Sequence, residues 1–118
     1  MDVFSKNSEV KLIELQNEQE ALLSKRNVPS NDYNGIYQRF ENPVLTDKHI
    51  PLSWKFDLNL KRNPLLLQRI GMNAVFNAGA MKFNGKYLLC ARVERWDRKS
   101  FFAIAEGPNG VDNFRFWD

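Results

Sequence analysis

The sequence predicts an all-β fold: an antiparallel meander of four short strands, preceded by one helix and a long irregular segment. Three observations predict it. From residue 73 onward, apolar runs recur at short intervals. Turn dipeptides separate them, and no stretch between them is long enough for a crossover helix.

The helix comes first in the chain. Residues 8–26, SEVKLIELQNEQEALLSKR, hold strong helix formers and neither Gly nor Pro. Glu9 near the start and Lys25 and Arg26 near the end suit the helix dipole. Leu12, Leu15, Leu22 and Leu23 make a partial apolar stripe broken by Gln19, and the helix ends before Pro29. Such a stripe packs on its own domain or docks on another subunit, and both readings stand.

Residues 27–72 are irregular, with Asn-Asp and Asn-Gly turn chemistry and Pro43, Pro51 and Pro64 as punctuation. Trp54, Phe56, Leu58 and Leu60 alternate with Lys55, Asp57 and Asn59, which predicts a short strand. Asn63-Pro64 ahead of LLLQRI predicts a brief helix with Pro64 at its first position. So long an irregular segment in a small domain is commonly functional.

The meander follows. Its first strand spans about residues 74–83, and Asn84-Gly85 closes a hairpin because both residues tolerate positive φ. The second runs over about 86–94, the third is SFFAIAE, and Gly-Pro-Asn-Gly turns the chain into Val-Asp-Asn-Phe-Arg-Phe-Trp as the fourth. This is one up-and-down sheet of the size of a propeller blade. Tyr87, Leu89 and Ala91 face one way, Leu88 and Cys90 the other, so both faces need cover. The N-terminal helix is available for one face. Nothing evident covers the other, and the chain reads as a piece of something larger.

Composition narrows the function classes. With 118 residues, 43% hydrophobic residues and nine phenylalanines, the chain is one globular domain with a modest core. A dispersed net charge of +3 gives no nucleic-acid footprint. The start, Met-Asp-Val-Phe-Ser-Lys, carries no secretory pattern, and no apolar run approaches the roughly 20 residues of a membrane span. A soluble cytoplasmic protein without membrane or nucleic-acid partners is expected. Lys99 to Ala105 faintly echoes an RNA-recognition strand, but its glycine and the flanking helices are missing.

The single cysteine, Cys90, excludes an intrachain disulfide, and its apolar setting predicts a buried structural thiol. The single histidine, His49, is expected in a loop and excludes a histidine metal cluster; no metal site is expected. Neither common phosphate-binding glycine motif is present. Glu94, Asp97, Glu106 and Asp112 offer carboxylates, yet spacing alone nominates no glycosidase pair among them.

Four residues stand out as candidates. Arg92, flanked by apolar strand residues, is either a snorkelling edge residue or a guanidinium held for an oxygen-rich ligand. Asp97 and Arg98 lie in the connection between two strands, as a solvated turn or as part of a site. Asn77, in Phe-Asn-Ala-Gly-Ala, is either satisfied by neighbouring backbone or free to meet sugar hydroxyls. Gly79 beside it suits close approach by backbone or ligand.

Several stretches together carry a family resemblance. They are RFENPVL (39–45), RIGMNAVFNAGA (69–80), NGKY (84–87), ARVE (91–94), DRKSFFAIAE (97–106), PNG (108–110) and DNFRFWD (112–118). On these motifs the chain resembles the N-terminal portion of glycoside hydrolase family 130, the β-mannoside phosphorylases, in the type acting on mannosyl-glucose. The match covers nearly the whole chain and is weakest in the N-terminal helix.

The resemblance implies a five-bladed β-propeller with its sugar site at the central cavity. Residues 1–30 would be a helical extension and residues 31–118 the incomplete start of the propeller, including its first blade. It implies cleavage of a β-mannoside by inorganic phosphate, with inversion, to mannose 1-phosphate and free sugar. Phosphate is then a co-substrate, and no cofactor is expected. Asn77, Arg92 and Arg98 match family positions that approach the mannosyl unit and its neighbour, with Asp97 placed to orient Arg98.

The family's general-acid aspartate, which relays its proton through a sugar hydroxyl, lies downstream of the DNFRFW motif, as do its phosphate-holding residues. Asp118 is not that residue, and the isolated chain is expected to be inactive. Arg95-Trp96 stands where such relatives carry small residues, and Gly107 where they carry serine. The partners implied are a β-mannoside oligosaccharide and phosphate, with homo-oligomers through the N-terminal helix. The competing reading is a non-catalytic sugar-binding or assembly module that pairs its open blade with another chain.

Overall fold

The structure, a computed structural model, describes residues 3–31, 33–69 and 71–118; the side chains of residues 3–5 and 77 lie outside that description. Helix α1 (Val3–Leu23) is followed by a 3₁₀ turn (Asp47–His49) and a single helical turn, α2 (Leu52–Lys55). Strands β1 (Met72–Phe83), β2 (Lys86–Arg95), β3 (Ser100–Gly107) and β4 (Arg115–Phe116) then form one sheet in the order β1-β2-β3-β4. Every neighbouring pair is antiparallel, as the meander pattern predicts. Asn84 and Gly85 take φ of 52° and 75°, the left-handed pair that a tight two-residue hairpin needs.

The pleat sorts the side chains into two unlike faces. On the inner face, Val75, Val93 and Phe101 share one rung, and Ala78, Ala91 and Ala103 the next. Ala91, Val93 and Ala105 are wholly buried there. The outer face aligns Phe76 with Arg92 and Phe102, then Gly79 with Cys90 and Ile104. Phe102 is 75% exposed and Met81 56%. Cys90 is exposed on this face, which corrects the expectation of a buried thiol: its apolar setting is real, but none of the described residues covers it.

The cover of the inner face comes from the irregular segment. Ile50, fully buried, joins Val44, Leu45 and Trp54 over the sheet, with Phe114 and Phe116 from the C-terminal end. The Trp54 ring meets Phe101 at 5.8 Å and Phe116 at 5.6 Å between centroids. Helix α1 contributes nothing to this cluster and sits on the 3₁₀ turn instead. Gln19, the gap in its leucine stripe, faces that turn and donates to the Ile50 carbonyl at 2.7 Å. Arg115 of β4 forks onto Glu20 at 2.8 and 2.9 Å. The chain extends 59 × 28 × 27 Å.

Local chemistry overrides three sequence expectations. The alternation at 54–60 is not a strand: Pro51 caps α2, and only Phe56 pairs, in an isolated bridge to Gln68. Among described residues 64–69 there is no helix, because the Asn63 side chain takes the backbone partners a helix would use. It donates to the Asp57 and Leu67 carbonyls at 3.0 Å and accepts from the Leu67 N–H at 2.9 Å. His49 is no ordinary loop residue. It is 7% exposed and ends the 3₁₀ turn, where Nδ1 accepts from the Thr46 N–H at 3.0 Å. Burial lowers its pKa below the usual imidazole value, against a smaller opposing effect of Asp47.

The fourth strand is shorter than its pattern because Asn113 turns left-handed at φ 63° and the Asn109 side chain takes the backbone N–H groups of Val111 and then Asp112, both at 2.9 Å. The buried Asp112 carboxylate accepts from the Asn27 N–H at 2.8 Å and from Asn109 Nδ2 at 3.0 Å, with Arg26 at 3.4 Å. Asn27 Nδ2 donates to the Asn42 and Val111 carbonyls, both at 2.8 Å, tying three distant segments together. These bonds hold the Asp112 carboxyl below the usual carboxylate range, the Asn27 N–H first among them. The stabilisation is therefore present above the unfolded carboxylate pKa and is lost as pH falls through the lowered folded value. Asp112→Ala is expected to cost about 1.5–3 kcal/mol in the unfolding free energy at neutral pH. The difference between variant and parent should shrink in acid. Denaturant titration at the two pH values checks this, and an equal difference at both would assign the effect to packing.

Candidate functional site

The β2–β3 connection is a three-residue loop, 96–98, closed by the Arg95 N–H on the Lys99 carbonyl at 2.9 Å. Arg98 takes φ of 65° and donates its N–H to the Arg95 carbonyl at 3.0 Å. That combination, a tight turn ending in a left-handed residue, ordinarily selects glycine or asparagine there. An arginine pays of order 1–2 kcal/mol for the left-handed conformation. Its guanidinium is exposed and has no hydrogen-bond or ion-pair partner among the described residues.

Asp97 holds a different arginine from the one expected. Arg95 Nε donates to Asp97 Oδ1 at 3.2 Å, and Arg95 Nη2 pairs with Oδ2. The Lys99 N–H donates to Oδ1 at 3.1 Å. The Arg95 hydrogen bond lowers the Asp97 pKa to about 2. Asp97 thus fixes the shape of the loop that presents Arg98 rather than gripping Arg98 itself. The resemblance implies that Asp97 orients Arg98; here its carboxylate is taken up by Arg95 and the Lys99 N–H.

Arg92 lies on the outer face of β2, with its Cζ 4.8 Å from the centre of the Phe76 ring. Across the β1–β2 ladder, Phe76 pairs with Arg92 and Ala78 with Ala91, so Asn77 is the extra residue of a bulge. The Asn77 side chain lies outside the described residues. The backbone therefore brings Asn77 beside Arg92. Asp97 and Arg98 sit together at the end of the same strand, separated from Arg92 by residues 93–96.

Two further features flank the loop. Asn73 Nδ2 donates to Glu94 Oε1 at 3.1 Å. The Trp96 N–H donates to the Gly71 carbonyl at 2.8 Å, and the indole lies against Gly71. A Cβ at residue 71 would fall 1.8 Å from Trp96 Cε2. Glycine at the entrance to a strand was the only sequence sign of this contact. Elsewhere, a cavity of about 220 Å³ opens between the end of α1, residues 42–49 and residues 111–113, and none of the four candidate residues lines it.

No protein-family model matches the chain. It is, however, 59% identical over 99 residues, 84% of its length, to the 4-O-β-D-mannosyl-D-glucose phosphorylase of Bacteroides fragilis. The chain belongs with the mannoside phosphorylases of glycoside hydrolase family 130. It spans about a quarter (25%) of the length of that curated relative. Among the described residues no helix is long and apolar enough to cross a membrane.

Proposed function

We propose that this chain forms the helical extension (residues 1–30) and the start (residues 31–118) of a five-bladed, cytoplasmic mannoside phosphorylase. Its reaction is cleavage of β-1,4-mannosyl-glucose, or a related β-mannoside, by inorganic phosphate. A phosphate oxygen bonds to the mannosyl anomeric carbon from the face opposite the leaving sugar. The glycosidic C–O bond breaks, and the departing oxygen takes a proton from an aspartate through a sugar hydroxyl. The products are α-mannose 1-phosphate and the free sugar. The observation that carries this reading is the 59% identity over 84% of the chain.

The fold supports it in kind. A four-stranded antiparallel sheet with an uncovered apolar outer face suits a blade whose neighbour packs on Phe76, Phe102 and Met81. In this reading Asn77, Arg92 and Arg98 donate to sugar hydroxyls, and Asp97 acts through Arg95 and Lys99 to keep the loop in shape. The aspartate acid and the groups that hold phosphate belong to the remaining three-quarters of the relative's length, and phosphate is a co-substrate without a further cofactor.

The test is phosphate-dependent release of mannose 1-phosphate from β-1,4-mannosyl-glucose by the full-length polypeptide that carries this chain. Hydrolysis indifferent to phosphate would overturn the reading. The isolated chain should show no turnover, since losing general-acid assistance alone costs about 10²–10⁴ in rate. Turnover that survives repurification and tracks the isolated chain would place the acid within it.

A further inference from the structure

We infer that Trp96 is a stacking platform for the glucose ring of the substrate, an inference that rests on the phosphorylase reading. Three observations converge on it. Trp96 is 64% exposed although it is a large aromatic side chain. One face of its indole is seated on Gly71, where even a methyl group would collide at 1.8 Å, and its backbone N–H is tied to the Gly71 carbonyl at 2.8 Å. The ring is thus held flat against backbone, with its remaining surface turned to solvent. It also stands two residues before the Arg98 fork, which has no partner among the described residues, in a loop braced by the Arg95–Asp97 pair.

An exposed indole backed by glycine is poorly explained as core, because it buries little and requires the one residue without a side chain beneath it. It is well explained as a preorganised surface for a flat, partly apolar ligand. A pyranose ring is such a ligand: its axial C–H groups form an apolar patch, and its equatorial hydroxyls point outward to donors such as Arg98. Of the two rings in mannosyl-glucose, glucose offers axial C–H groups on both faces. The axial 2-hydroxyl of mannose spoils one of its faces. The geometry therefore favours the glucose, the group that leaves in phosphorolysis and attacks in the reverse reaction.

The experiment uses the full-length polypeptide in the synthetic direction, with mannose 1-phosphate and glucose as substrates. Trp96→Ala is expected to raise KM for glucose roughly five- to tenfold, with little change in KM for mannose 1-phosphate; Trp96→Phe should recover part of the loss. Gly71→Ala, which pushes the indole off its seat, should produce the same one-sided rise. Glucose should also perturb tryptophan fluorescence in the parent and not in Trp96→Phe. An unchanged glucose KM, or equal rises for both substrates, would overturn the inference while leaving the phosphorylase reading intact. A parent without phosphorolysis would sink that reading instead, and the fluorescence titration would then decide the platform separately: no difference between parent and Trp96→Phe would overturn it.

Discussion

Arg98→Gly is expected to make the full-length protein more stable and much less active. The φ of 65° at Arg98 belongs to a region that glycine enters freely and arginine does not. Removing the side chain relieves that cost, offset in part by the greater freedom of glycine in the unfolded chain. A gain of about 1 kcal/mol is expected. The same change removes a charged donor from the sugar, and losing such hydrogen bonds costs on the order of 1.5–3 kcal/mol. Catalytic efficiency, kcat/KM, should therefore fall roughly ten- to a hundredfold.

Two further substitutions at this position separate the effects. Arg98→Ala keeps a Cβ in the left-handed region, so it should lose the same activity with almost no change in Tm. Arg98→Lys keeps the charge but not the planar fork, and should restore activity only in part. If Arg98→Gly and Arg98→Ala both retain parental kcat/KM, Arg98 is a turn residue and its carry-over from the family is wrong. Wholesale unfolding of Arg98→Ala would contradict the geometry, since the side chain has no partner among the described residues to lose.

What could be read from the sequence was what adjacent residues decide together. Asn84-Gly85 announced its hairpin because the required φ values are the ones those residues prefer. The three long strands followed from runs bounded by such turns. The fourth strand came out short and the 54–60 segment is no strand for a related reason: the Asn109 side chain takes the Val111 and Asp112 N–H groups, and the Pro51 carbonyl takes the Trp54 N–H.

The cover of the sheet was equally hidden. A leucine stripe says that a helix packs, not on what, and Gln19 turned out to be its anchor to the Ile50 carbonyl rather than a flaw. At the site, the motifs marked positions without geometry. Nothing local shows that Asp97 reaches back to Arg95, or that Arg98 is left-handed, because arginine does not advertise positive φ as glycine would. Gly71 had no legible role until Trp96, twenty-five positions on, was seen to lie against it.

Phe102→Lys should have opposite consequences in the two forms of the protein. In the isolated chain, Phe102 stands 75% exposed beside Arg92, Phe76 and Ile104 on an open apolar sheet face. Faces of this kind draw other copies together, and a lysine there opposes the association by charge and by lost apolar area. The isolated parent is expected to self-associate in sizing chromatography with light scattering, and the variant to shift towards monomer. In the full-length polypeptide, on the propeller reading proposed above, the next blade covers the same face. There the substitution forfeits the burial of a phenylalanine, about 1.5–3 kcal/mol, and forces an ammonium into an apolar contact at further cost. The Tm should drop by several degrees. A variant that is harmless in the full-length protein would show that Phe102 faces solvent there too, and the outer face would not be a seam between blades. A monodisperse isolated parent with one cooperative unfolding transition would argue the same from the other side, because a face that needs no cover alone has no claim on a neighbour.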